Sequence, residues 1–224
     1  MFADDTNILY ADKNLRSMEF IVNQELCKLY DWLTASKLTM NIKKRNFVIF
    51  SPAQRKFTYQ PKIVMFDNEQ NKNVALECKE FIKYLGILID NDLSWKQHID
   101  HITIKISRTV GLISKLRQFV PRHTLINIYR SLAAPYLSYG LIVWGQARKS
   151  YLDKLLKLQK RALRFINFSD RNQHAIPLFS DAGILPLRVS YYEVTANLMY
   201  DIRHRNSPTN IRDLFQGHFQ YSLL

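Results

Sequence analysis

Two adjacent carboxylates, Asp4 and Asp5, stand between the short apolar runs Phe2-Ala3 and Ile8-Leu9-Tyr10. A tight turn would force both toward one point. That is what a hard divalent cation such as Mg²⁺ needs, because it binds carboxylate and water oxygens. Two such ions, ~3.5–4 Å apart, activate a hydroxyl nucleophile and hold the departing pyrophosphate in nucleotidyl transfer. An aromatic–Ala–Asp–Asp turn is weak alone, since paired carboxylates near a chain start are most often a polar turn. The other candidates are sparse. His98 and His101 have a spacing that binds metal on a helix, but no carboxylate or cysteine completes a set. Cys27 and Cys78 lie far apart without C-x-x-C spacing, which argues against a disulfide framework or thiolate site and fits a reducing intracellular setting. No glycine-rich phosphate loop, cysteine nucleophile or Ser-His-Asp arrangement stands out.

The elements that must position these groups follow in order. Asp12 reads as a helix N-cap, after which Leu15, Met18, Val22, Leu26, Leu29 and Leu33 recur at steps of three and four to about Ala35. Asn46–Phe50 is short and rich in β-formers, and Ser51-Pro52 ends it. Residues 51–80 are irregular, with short strands expected around Ile63–Phe66 and Val74–Cys78 flanking the polar run Asn68–Asn73. Phe81–Asp90 reads as a buried strand pair interrupted by Gly86, which marks either a bulge with close backbone approach or a packing glycine.

From Trp95 the period becomes helical. Ile99, Ile102, Ile106, Val110, Ile113 and Leu116 form a stripe, with Lys105, Arg108, Lys115 and Arg117 alongside it. Pro121 stops this helix and a second runs from about Arg122 to Ala133, before the motif PYLSYGLIVWG, whose Tyr136, Tyr139 and Trp144 read as core aromatics. Residues 149–167 are the clearest amphipathic stretch. Leu152, Leu155, Leu156, Gln159, Leu163 and Ile166 share one sector, while Lys154, Lys157, Lys160, Arg161 and Arg164 lie on its flank and back. Such a helix is either a basic ridge or an ordinary solvated face; a membrane-surface helix is disfavoured, with only Tyr151 and Phe165 as aromatic anchors. A further helix is expected from about Val189 to His204.

The charge is segregated. Residues 1–100 hold 14 Lys/Arg against 13 Asp/Glu, whereas residues 101–224 hold 18 against 6. A solubilising surface charge does not predict such segregation, whereas a polyanionic partner, nucleic acid or a membrane surface, would suit it. Nucleic acid is favoured over a membrane surface. No apolar run reaches the ~20 residues of a membrane helix, and the N-terminus lacks the basic region and apolar core of a signal peptide, so a soluble protein is expected. At 47% hydrophobic residues the composition is that of a folded globular chain.

FADDTNILYAD, WLTASKLTMNIKK, FIKYLGILIDNDLSWKQHI, PYLSYGLIVWG and LDKLLKLQKRALRFI, in this order and approximate spacing, resemble the C-terminal half of a non-long-terminal-repeat (LINE-type) retrotransposon reverse transcriptase. The resemblance implies an α+β fold: a partial palm with the FADD hairpin and a primer-grip-like hairpin over 1–94, a helical basic thumb over 95–170, and a C-terminal helical extension over 171–224. It implies Asp4 and Asp5 as Mg²⁺-binding catalytic aspartates, and Asn41 and Lys44 as the palm motif near the incoming triphosphate, with Arg45 departing from the usual small hydroxyl residue. Tyr84, Leu85 and Gly86 match the primer-grip-like hairpin. Lys154, Lys157, Lys160, Arg161 and Arg164 would contact nucleic acid, the RNA template and DNA primer of the parent enzyme. The first catalytic aspartate and the fingers belong upstream of the FADD, and only Met1, Phe2 and Ala3 stand for the incoming strand. The expectation is therefore a fragment without polymerase activity of its own; the alternative is a non-catalytic nucleic-acid-binding module.

Overall fold

The computed structural model of the chain describes residues 7–38, 45–52, 54–55, 57–67, 72–170 and 172–215. Asp4, Asp5, Asn41 and Lys44 lie outside the described residues. Mixed helices and small sheets make the chain α+β, as expected. It divides into two compact units: one holds the residues up to Tyr84 together with Ile89–Leu93, the other Leu85–Leu88 and the residues from Ser94 onward.

The first unit is built on helix α1, Leu15–Ala35. Its N-cap is Asn14, whose side chain accepts from the Arg16 amide, not Asp12. Asp12 instead accepts from the Asn14 amide one step earlier, and that bond holds its carboxyl below the ordinary range. Strands β2 (Val64–Asp67) and β3 (Lys72–Ala75) form an antiparallel pair, with Val64 opposite Ala75 and Asp67 opposite Lys72. Asn23 on α1 fastens the helix to this pair: its amide donates to the Lys62 carbonyl (3.1 Å) and its oxygen accepts from the Val64 amide (2.9 Å). Leu26, Ile63 and Met65 are buried between them, with Val22, Leu29, Phe47 and Leu76 packed around. Strand β1 is only Asn46–Phe47, shorter than its β-forming residues suggest, because its parallel partner β4 is itself only Glu77–Cys78.

Strands β5 (Phe81–Tyr84) and β6 (Ile87–Asp90) form a two-stranded hairpin. This corrects the expectation of a buried strand pair. Phe81 and Tyr84 are exposed, since a sheet of two strands has few neighbours to cover its faces.

The second unit is helical. Helix α2 (Lys96–Leu116) buries its isoleucine stripe, Ile99, Ile102 and Ile106 with Val110 and Ile113, as the spacing requires. Trp95, just before it, is buried with a left-handed backbone (φ 63°), a conformation tolerated because burial of the indole offsets the strain. After Pro121 come α3 (Arg122–Leu132), the short α4 (Ala134–Ser138) and α5 (Leu141–Trp144), then α6 (Lys149–Ile166). Helix α6 packs on α2, and α3 packs on both. Asp100 meets Lys154 and Arg117 meets Phe165, so α2 and α6 run side by side in the same direction. Helix α7 (Ala175–Ala182) is capped by left-handed Gly183, followed by α8 (Leu187–Arg203) and α9 (Thr209–Asp213). Arg122 ties this end down, with Nε donating to Asn167 and Nη2 reaching Asp181 on α7.

Gln159 sits in the apolar sector of α6 yet is the polar hub of the unit. Its Oε1 accepts from the Leu187 amide (2.9 Å) at the start of α8, and its Nε2 donates to the Tyr129 hydroxyl (3.1 Å) on α3. The buried amide thus satisfies an N–H that has no partner inside its own helix. Burial pushes the Tyr129 hydroxyl pKa up, and the Gln159 bond only partly opposes this.

Candidate nucleic-acid interface

Helix α6 seals one side and turns the other to solvent. Leu155, Leu163 and Ile166 are inaccessible and Leu152 is buried, while Lys154, Lys157 and Arg161 are exposed and Lys160 and Arg164 half-exposed. With Lys149 the helix carries six cations against one carboxylate, Asp153, and so many like charges would repel one another without further counter-charge. Among the described residues the ridge has a single carboxylate partner: Asp100 accepts from Lys154 at 2.7 Å. Arg164 donates to the Gln173 carbonyl. Arg161 stands over the Phe165 ring at 5.5 Å, and so does Arg117, arriving from the end of α2. Two guanidiniums on one aromatic ring keep their charge while gaining a face to rest on. By sequence Arg117 is only a cation beside the isoleucine stripe. Its association with Arg161 follows from the shared direction of α2 and α6, which no local pattern reveals.

The hairpin residues have a different character. Tyr84 is exposed at the end of β5, Leu85 is half-buried and Gly86 exposed. Leu85 (φ 45°) and Gly86 (φ 85°) are both left-handed, which gives the two-residue turn that suits a twisted hairpin. Gly86 lies in the turn rather than inside a strand, so its left-handed backbone accounts for the glycine, and a Cβ there would make an ordinary contact, 3.4 Å from Cε1 of Tyr139. Tyr139 itself departs from expectation. With Tyr136 it is exposed rather than packed in the core, and of the three motif aromatics only Trp144 is sealed. The break at left-handed Gly140 separates α4 from α5 and turns the tyrosine outward.

Neither histidine is arranged as a metal ligand pair. His98 is buried against Trp144 with Nδ1 facing the Leu88 amide at 3.4 Å, while His101 is exposed. Among the described residues no group of three His, Cys, Asp or Glu could hold a metal ion. Asp4 and Asp5 have the hard oxygen donors that suit Mg²⁺, and they fall outside the described residues. Desolvation raises the Cys78 thiol pKa, which disfavours the thiolate a nucleophile requires. No helix among the described residues is long and apolar enough to cross a membrane.

Over 171 residues, 74% of its length, the chain is 30% identical to the RNA-directed DNA polymerase from mobile element jockey of Drosophila melanogaster. It is 24% identical over 169 residues to the probable RNA-directed DNA polymerase from transposon X-element, and 27% identical over 171 residues to that from transposon BS, both of the same organism. The matched region is 18% of the length of each of these relatives. No protein-family model and no solved structure matches the chain.

Proposed function

We propose that this chain, which spans 18% of the length of the curated relatives it matches, is part of an RNA-directed DNA polymerase of a non-LTR retrotransposon, namely its palm end and thumb, gripping the template–primer duplex. In the parent enzyme, Asp4 and Asp5 would bind Mg²⁺ for nucleotidyl transfer, with Lys44 near the triphosphate. Tyr84, Leu85 and Gly86 would touch the primer. Lys154, Lys157, Lys160, Arg161 and Arg164 would lie along the duplex backbone. The observation that carries this reading is α6: one face sealed in a helical core, six cations on the rest, in a chain related to polymerases that are RNA-directed and make DNA. Phosphate neutralisation by Lys and Arg supplies most sequence-independent affinity, so a basic helix is what a duplex grip requires.

Fluorescence anisotropy with a short labelled RNA–DNA hybrid tests it. Binding should weaken with salt at a log–log slope of about −3 to −5, and K157A/K160A/R161A should cost about tenfold or more in affinity. Affinity indifferent to salt overturns the reading. A segment spanning 18% of its relatives' length is proposed to lack polymerase activity on its own. Binding should therefore survive D4A/D5A, as a non-catalytic module also requires. Primer extension by the purified chain with Mg²⁺, lost in D4N, would overturn the proposed inactivity.

A further inference from the structure

Tyr139 makes an arrangement that its position in the sequence does not announce. Its hydroxyl donates to the Leu85 carbonyl at 2.6 Å, across 54 residues of chain. Leu85 is left-handed, a conformation that costs a side-chain-bearing residue energy that glycine does not pay, so the turn needs an outside hold. The same tyrosine ring covers the open side of Gly86. Tyr139 is fixed in its turn, because its carbonyl accepts from the indole Nε1 of Trp144 at 2.9 Å. Gly140, next along, lies so close to the hairpin that a Cβ there would stand 2.3 Å from Cδ1 of Ile87. On the far side of the turn the Leu88 amide faces Nδ1 of His98, and His98 packs on Trp144 at 5.5 Å between ring centroids. Both anchors of the tip therefore run back to one sealed indole.

Yet Tyr139 is 56% exposed. A tyrosine recruited only for packing would be covered, as Tyr129 is at 1%. An exposed ring that holds a strained backbone turn at the surface fits a turn that must meet something outside the chain. We infer that Tyr139 is a positioning residue: it sets the Leu85–Gly86 tip in the conformation that contacts the backbone of a bound RNA–DNA duplex. This rests on the proposed function, which takes the hairpin as a nucleic-acid contact. Tyr139 touches the duplex only through the turn it holds.

Y139F in the full chain removes the hydroxyl and leaves the ring. Two readouts apply: anisotropy with the labelled RNA–DNA hybrid, and amide hydrogen exchange at residues 85–88. Losing one hydrogen bond that orders the tip should weaken hybrid binding by about three- to tenfold and speed exchange at 85–88, while exchange in α2 and α6 stays unchanged. G86A tests the left-handed turn separately. Because Gly86 is left-handed and faces the ring, G86A should weaken binding too, and G86A/Y139A should show the two losses to be non-additive. Faster exchange with unchanged affinity in Y139F overturns the inference, because the hydroxyl would then be only a lock on the fold. Loss of affinity in K157A/K160A/R161A with none in Y139F overturns this inference and leaves the proposed function standing. No binding by the unsubstituted chain overturns both.

Discussion

The two units solve the same problem of burial with very different resources. In the first, one helix covers a two-stranded pair, and the sealed cluster is Leu26, Ile63 and Met65. An apolar groove of about 350 Å³ opens beside it, bordered by Leu26, Tyr30, Val64, Met65 and Phe66. In the second, three packed helices bring Ile99, Ile106, Ile113, Leu125, Leu155, Leu163 and Ile166 to zero exposure, and Trp144 is sealed as well. Each fully buried aliphatic side chain contributes ~1.5–3 kcal/mol, so the helical unit has a several-fold larger reserve against conformational entropy. The lesson is that the strong unit, with the larger sealed core, is the one that can support an exposed row of charge. All of the basic ridge lies on the strong one.

Matched truncations should expose this difference most. Leu155→Ala removes three side-chain carbons from a sealed site and should destabilise the helical unit by ~3–5 kcal/mol. Leu26→Ala, at a site already 9% exposed beside an open groove, should cost ~2–3 kcal/mol. Denaturant unfolding followed by circular dichroism for the helices measures both; equal costs would erase the contrast drawn between the cores. Next in size is Gln159→Leu, which keeps the volume but strands the Leu187 amide and the Tyr129 hydroxyl. The expected loss is ~1–3 kcal/mol, with Gln159→Glu recovering the acceptor at Oε1 but not the donor. Fluorescence-detected melts would reveal a neutral substitution, and neutrality would mean the hub is dispensable.

Tyr129 supplies a test by pH. Its pKa is raised in the folded chain above the ordinary value of 10.0, so the neutral hydroxyl is the form the fold favours. The stability this represents is fully present below about pH 10 and is lost as pH climbs from there toward the folded value. Melts between neutral pH and pH 11 should show the helical unit weakening at the alkaline end, and Tyr129→Phe should flatten that decline. A decline of the same steepness in Tyr129→Phe would assign it to other groups.

Much of the helical unit was legible from periodicity alone, because α2 and α6 each repeat one apolar stripe for five turns or more. The first unit was harder to read. Its strands are two to four residues long, too short for an alternation to declare itself, and Asn46–Phe50 yields a strand of only two residues because its partner is as short. Gln159 was placed correctly in the buried sector, but a stripe does not say that its amide joins three helices. Tyr139 misled because an aromatic beside an apolar run reads as core. What turns it outward is Gly140, and what gives it work is Leu85, far away in sequence. For Asp4, Asp5 and Lys44 the legible part is chemical type and order.

The smallest effect concerns the carboxylate that α2 pairs with the ridge. Asp100 and Lys154 are 41% and 47% exposed, so water and salt screen their attraction, and a double-mutant cycle through D100N and K154M should return ~0.2–0.5 kcal/mol. That coupling should fade at high ionic strength, where the screening length shrinks toward ~3 Å at 1 M. Removing Asp100 should nevertheless matter for binding, in the opposite sense to every substitution above. D100N takes a negative charge from the end of the ridge and releases the Lys154 ammonium to a phosphate, so hybrid affinity should rise by up to about twofold with almost no change in melting temperature. Weaker binding by D100N would show that Asp100 orients Lys154 for its partner, and that the ridge is held in place by its carboxylate rather than merely shielded by it.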